Sequence, residues 1–141
     1  GNKWTSFKGN LFVSIFFPIN NINISLKTLT KINCILVKKL ISNFYKGKIL
    51  IKNPNDLLIN KKKISGILQE KISKFEDTII IIGIGVNLIR SPKIKGYPST
   101  NLLDLTNKRI ERNYAALKLK KIYERFIPII AKINVKNIDK I

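Results

Sequence analysis

Three short runs carry side chains suited to handling an anionic ligand that contains a base: Lys52-Asn53-Pro54-Asn55-Asp56, Lys63-Ile64-Ser65-Gly66-Ile67-Leu68 and Gly83-Ile84-Gly85-Val86-Asn87. An asparagine amide offers a donor and an acceptor in fixed geometry, the pairing that reads an adenine edge, and Asn55 and Asn87 each supply one. Lys52 and Lys63 are cations next to a turn and a strand. Asp56 adds a carboxylate to the turn. Gly83 and Gly85 at a strand end leave room for a ligand where a side chain would collide. With a side-chain period of two, Gly66 shares a face with Ile64 and Leu68, which makes a small, apolar wall beyond Lys63. Together these residues point to nucleotide chemistry on a partly apolar, carboxylate-bearing substrate. Each run also has a plainer reading. Pro54 can simply turn one strand into the next, and Lys61-Lys62-Lys63 can be the solvated tip of a hairpin. The glycine pair lacks the third glycine and the following helix of a dinucleotide fingerprint.

The elements that position these runs are legible in the apolar pattern. Asn10 to Phe17, rich in β-branched and aromatic residues and closed by Pro18, reads as a buried strand. From Ser25, Leu26, Leu29, Ile32, Leu36, Leu40 and Phe44 recur at helical steps with Lys27, Lys31 and Lys38 on another face, so a helix is expected with a cap near Asn23 or Ser25 and a stop at Gly47. Ile49 to Ile51 is a short strand, Leu57 to Ile59 and Lys63 to Lys71 form a hairpin about Asn60-Lys61-Lys62, and Phe75-Glu76-Asp77 reverses the chain again. Thr78 to Ile82 is apolar throughout and reads as a central strand buried on both faces. Pro92, Gly96 and Pro98 mark an irregular stretch, Ser99 to Leu102 starts a short helical turn, and Arg109 to Phe126 is a second amphipathic helix that Pro128 kinks or ends. Strands interrupted by segregated helices argue for an α+β domain, a mixed β-sheet with helices packed on one side.

Bulk properties narrow the class. The chain has 141 residues, 45% of them hydrophobic, enough for one domain with a real core. It has no methionine and begins Gly1-Asn2-Lys3, so residues 1–141 are expected to be part of a longer protein. The 27 basic against 8 acidic residues give a formal charge of +19, which raises nucleic acid as a partner. Only Arg90, Arg109, Arg112 and Arg125 are arginines among many lysines, isoleucines and asparagines, the bias of A/T-rich codons, and no nucleic-acid signature accompanies the charge, so only non-specific binding is expected. Cys34 is the single cysteine, excludes an intrachain disulfide and fits a reducing cytoplasm. No apolar run approaches the ~20 residues that span a bilayer, so no membrane is expected as partner.

The three runs, in this order and spacing, resemble the biotin–protein ligases, whose catalytic domain carries a Lys-Trp-Pro-Asn-Asp turn, a Lys-(apolar)-Ala-Gly-Ile-Leu strand and a Gly-Ile-Gly-(apolar)-Asn strand end. Gly1-Asn2-Lys3-Trp4-Thr5-Ser6 and Gly9-Asn10-Leu11-Phe12-Val13-Ser14 are similar to the end of the family's glycine- and arginine-rich ligand loop and the strand after it, so the likeness runs from Gly1 to about Asn87. It implies a biotin/lipoate ligase catalytic-domain fold with ATP, biotin and nucleotide-borne Mg2+ as ligands. Trp4 is implied to stack on adenine, Asn55 and Asn87 to bond its edge beside Gly83 and Gly85, and Lys63 to contact the biotin carboxylate and the α-phosphate. Gly66 and Leu68 line the biotin pocket, Lys52 helps with the phosphates, and Asp56 orients or deprotonates the acceptor lysine of a biotin carboxyl carrier protein. A homodimer is compatible with the family. A lipoate or octanoate ligase or transferase of the same superfamily is the enzyme alternative, disfavoured by the whole Pro-Asn-Asp turn, and a basic nucleic-acid-binding module or non-catalytic relative is the other. Asn53 stands where the family has tryptophan, Asn2 where the loop ends in arginine and Ser65 where alanine is usual. By the same likeness most of the arginine-rich loop falls before Gly1, and a small C-terminal β-barrel is not included.

Overall fold

The computed structural model describes residues 8–20 and 23–132. In chain order these form β1 (Leu11–Pro18), α1 (Leu26–Ser42), β2 (Leu50–Lys52), β3 (Asp56–Ile59), β4 (Lys62–Lys74), β5 (Asp77–Val86), α2 (Leu102–Thr106) and α3 (Arg112–Phe126), followed by a 3-10 turn at Ile127–Lys132. The strands make one five-stranded sheet in the order β1-β5-β4-β3-β2. The α+β class is as expected. The pairing corrects one detail: among the described residues every strand ladder is antiparallel rather than mixed, and parallel pairing is confined to an isolated bridge between Lys63 and Ser99. Short turns join β2 to β5 in series, and a short turn can return a strand only antiparallel. Asn60 and Lys61 both take positive φ (52° and 65°), the conformation of a two-residue hairpin turn that matches strand twist.

Both long helices pack on one face. In α1 the Ser25 hydroxyl accepts from the Thr28 N–H, and Leu29, Ile32, Leu36 and Leu40 are buried while Leu26, in the first turn, is exposed. The helix stops at the Asn43 cap, before Phe44 and Gly47, so the glycine is not its terminator. In α3 the Glu111 carboxylate caps the Tyr114 N–H, Ala115, Leu119, Tyr123 and Phe126 form the buried stripe, and the α-helix ends just before Pro128. A buried polar chain ties three elements together. The Tyr123 hydroxyl donates to Asn33 Oδ1 (2.8 Å), and Asn33 Nδ2 donates to Gln69 Oε1 (2.6 Å), linking α3, α1 and β4.

Along β5 the alternation is visible: Ile80, Ile82 and Ile84 are fully buried under the helices, whereas Ile79 and Ile81 are only half-buried. The expectation of burial on both faces is therefore corrected. Among the described residues no helix covers the second face, as antiparallel sheets allow, and it carries exposed apolar groups such as Phe12, Phe16, Leu68 and Ile72.

Candidate functional site

On that open face one row of Cα partners crosses all five strands: Phe12 (β1), Gly85 (β5), Gly66 (β4), Asp56 (β3) and Lys52 (β2). The neighbouring row, with Leu57, Ser65 and Val86, faces the helices and is buried. Two adjacent glycines in the middle of a sheet leave a trough without side chains. A cation and a carboxylate stand at one end of it and an aromatic ring at the other.

Lys63 joins this face through an irregularity. Strict alternation would place it with Ser65 and Ile67 against the helices. Instead Lys63 pairs with Leu58 and Ser65 with Leu57, so Ile64 is the extra residue of a β-bulge. The bulge re-aims the side chain, and Lys63 Nζ lies 3.2 Å from Asp56 Oδ1. Ile64 itself is fully buried whereas Leu68 is 47% exposed, so these two do not share the wall that alternation suggested. Ser65, on the helix side, donates its hydroxyl to the Gly85 carbonyl (2.6 Å) and stitches the two glycine strands together.

The segment after β5 folds back across the end of the row. Lys63 is held between Pro98 and Thr100: its N–H donates to the Pro98 carbonyl and its carbonyl accepts from the Thr100 N–H, both at 2.9 Å. The Thr100 carbonyl in turn accepts from Asn87 Nδ2 (3.0 Å), so one residue connects Lys63 to Asn87. Asn87 is also tied by its backbone N–H to the carbonyl of the bulged Ile64 (2.9 Å). Above them the Tyr97 ring lies 5.6 Å from Lys52 Nζ and 5.7 Å from Lys63 Nζ, and its hydroxyl reaches Asp56 Oδ2 at 3.5 Å. A cavity of about 80 Å3 at this junction is lined by Lys63, Gly66, Gly85, Asn87, Asn10 and Tyr97 among others.

Of the expected site residues, Lys63, Gly66, Gly85 and Asn87 meet in this cavity, with Asp56 and Lys52 at its edge. Asn55 lies one residue from Asp56, but its Nδ2 donates to the Ile67 carbonyl (2.7 Å), so half of its amide is already engaged by the sheet. Gly83 and Leu68 oppose each other farther along the same face, outside the cavity lining. Trp4 lies outside the described residues. Residues that the sequence reading did not single out for chemistry also line the site: Asn10, read as the first residue of a strand in a run that resembles the family, and Tyr97, the one aromatic residue of an irregular loop between Gly96 and Pro98. A wider opening of about 330 Å3 lies between Gly9, Ile89, Arg90 and residues 109–112 and contains none of the expected site residues. Among the described residues no group of three or more His, Cys, Asp or Glu side chains is placed to hold a metal ion, and no helix is long and apolar enough to cross a membrane.

Comparison with known proteins gives the same direction. The sequence model of the Biotin/lipoate A/B protein ligase family matches residues 1–87. Over 90 residues the chain is 32% identical to the bifunctional ligase/repressor BirA of Escherichia coli, covering 62% of this chain and 28% of that protein. Over 69 residues it is 35% identical to the biotin–[acetyl-CoA-carboxylase] ligase of Mycobacterium tuberculosis, covering 49% and 24%. The matched stretches thus span under a third of the length of these curated relatives. A biotin protein ligase from Aquifex aeolicus, solved in complex with biotin and ATP, superposes with a TM-score of 0.81 at 26% identity over 97% of this chain and 58% of that one.

Proposed function

Because the chain belongs to the Biotin/lipoate A/B protein ligase family, we propose that it carries the adenylate-forming centre of a biotin–protein ligase. In the first step a biotin carboxylate oxygen attacks the α-phosphorus of ATP, and the bond to the leaving pyrophosphate breaks to give biotinyl-5′-adenylate. In the second a lysine amine of a biotin carboxyl carrier protein attacks the acyl carbon, and AMP leaves. The observation that carries the reading is the row Lys52, Asp56, Gly66, Gly85 with Lys63 brought into it by the bulge.

The residue types suit the chemistry. A carboxylate and a polyphosphate repel each other, and a fixed cation between them offsets that repulsion while the attacking oxygen is held in line. Lys63 is assigned that position, with Lys52 beside the phosphates. Gly66 and Leu68 line the trough for the biotin rings, Gly85 and Gly83 leave room beside them for the adenylate, and Asn87 reads adenine with Asn55 and Trp4 as further contacts. Asp56 receives the proton of, or orients, the incoming lysine. With no preformed cluster of metal ligands among the described residues, Mg2+ would arrive on the nucleotide phosphates, as is usual for that ion. A cytoplasmic setting is proposed on the same basis, since ATP and carrier protein must both be at hand.

The test is biotin-dependent release of pyrophosphate from ATP by the full-length protein, followed by streptavidin detection of a carrier domain. Release that does not depend on biotin, or that responds to lipoate instead, would refute the assignment.

A further inference from the structure

Asn10 is 7% exposed immediately before β1, and both ends of its amide are engaged. Its Oδ1 accepts from the backbone N–H groups of Leu88 (3.0 Å), Ile89 (2.9 Å) and Arg90 (3.2 Å), and its Nδ2 donates to the Arg90 carbonyl (3.0 Å). These bonds permit one orientation of the amide, because exchanging its oxygen and nitrogen would set a donor against three donors. The neighbouring Gly9 takes φ +93°, and a side chain there would collide with Ile89, so β1 starts hard against the turn that Asn10 holds.

Fixed in this way, Asn10 Nδ2 faces Asn87 Oδ1 at 3.5 Å, a long contact whose polarity is nonetheless set. On its other side Asn87 Nδ2 donates to the Thr100 carbonyl at 3.0 Å. The Asn87 amide is therefore oriented from both ends. That matters for base choice. Adenine presents a donor and a ring acceptor on its Watson–Crick edge and guanine presents the reverse, so an amide free to turn over can pair with either. A locked amide pairs with one.

We infer that Asn10 is a specificity-determining positioning residue: by fixing the Asn87 amide it makes the site select adenine over guanine nucleotides. The inference rests on the ligase reading only in taking a nucleotide as the ligand of this cavity.

Asn10→Asp separates this role from simple support. The carboxylate still accepts from the three backbone N–H groups, so the turn at residues 88–90 keeps those three bonds and loses the one to the Arg90 carbonyl, while an oxygen now faces Asn87 Oδ1 and repels it. Titrating ATP and GTP into the full-length protein by calorimetry reads the result. The ratio of GTP to ATP dissociation constants should fall about tenfold, the worth of one net hydrogen bond. If wild type prefers ATP and Asn10→Asp keeps the same ratio, the inference is overturned and the ligase reading stands. If wild type binds neither nucleotide, both fall. Should the variant fail to fold, wild type decides the matter by NMR: the Asn87 side-chain NH2 should be protected from exchange and close to Asn10, and a freely exchanging NH2 overturns the proposal.

Discussion

Replacing Lys63 by methionine removes the charge and keeps the length of the side chain, and the structure separates two consequences. Lys63 Nζ is 3.2 Å from Asp56 Oδ1, with 30% and 13% of the two side chains exposed. At that distance the gross attraction is about 5 kcal/mol at an effective dielectric of about 20, but the pair is neither fully exposed nor fully buried, so the net loss on unpairing Asp56 is about 1–2 kcal/mol. Urea unfolding of Lys63→Met should show it. The rate of adenylate formation, followed as the biotin-dependent pyrophosphate burst, should fall about 100-fold or more, which is ~2.7 kcal/mol of transition-state stabilisation. Asp56→Asn divides the two effects. Alone it should leave the burst within about threefold while slowing transfer to the carrier, since its proposed work is in the second step; a change of that small size is below 1 kcal/mol. Combined with Lys63→Met it should restore stability, because no half-buried carboxylate is left without its cation, and leave the burst depressed. Recovery of the burst in the double variant would show that Lys63 serves only as the partner of Asp56, and an undiminished burst in Lys63→Met would remove it from the first step.

At Gly83 a Cβ would meet the Leu68 carbonyl oxygen at 3.8 Å and Leu68 Cβ at 3.9 Å, ordinary contacts, so Gly83→Ala should fold with equal or greater stability. A raised KM for ATP or biotin with unchanged thermal unfolding would mark the space as the ligand's, and unchanged KM values for both would take Gly83 out of the site. Tyr123→Phe strips the donor from buried Asn33 Oδ1 and should cost about 1–3 kcal/mol in urea unfolding without changing KM for either substrate; a loss below ~0.5 kcal/mol would mean that the buried chain does not couple α3 to α1. Burial, and secondarily the negative charge of Asp56, pushes the Cys34 thiol up from 9.0 to about 11. The folded state then keeps a proton that the unfolded chain loses, so this contribution is intact below about pH 9 and declines by about 2.7 kcal/mol as pH rises to about 11. Cys34→Ala should show a shallower fall over that window than wild type, and parallel curves would refute the assignment.

What the sequence by itself determined is whatever depends on neighbours a few residues apart. Helical spacing found the faces of α1 and α3, and β-branched runs closed by Pro18 and the Asn60–Lys61 turn found the strands, because these follow from backbone periodicity and local capping. Motif order also carried the family, since Lys52–Asp56, Lys63–Leu68 and Gly83–Asn87 are contiguous runs. Four outcomes were decided by the tertiary structure. The second face of β5 is only half-buried because, among the described residues, helices pack on one side of the sheet, a matter of layers that an all-apolar run such as Thr78 to Ile82 does not reveal. Lys63 reaches Asp56 because a bulge at Ile64 reverses the alternation, and a bulge exists only relative to the register of β3. Tyr97 arrives over Lys52 and Lys63 because residues 98–100 pair with Lys63, a bridge between segments remote in sequence. Asn10, which reads as the first residue of a strand, grips the backbone of residues 88–90 from across the chain, because a buried amide must find partners wherever the fold brings them.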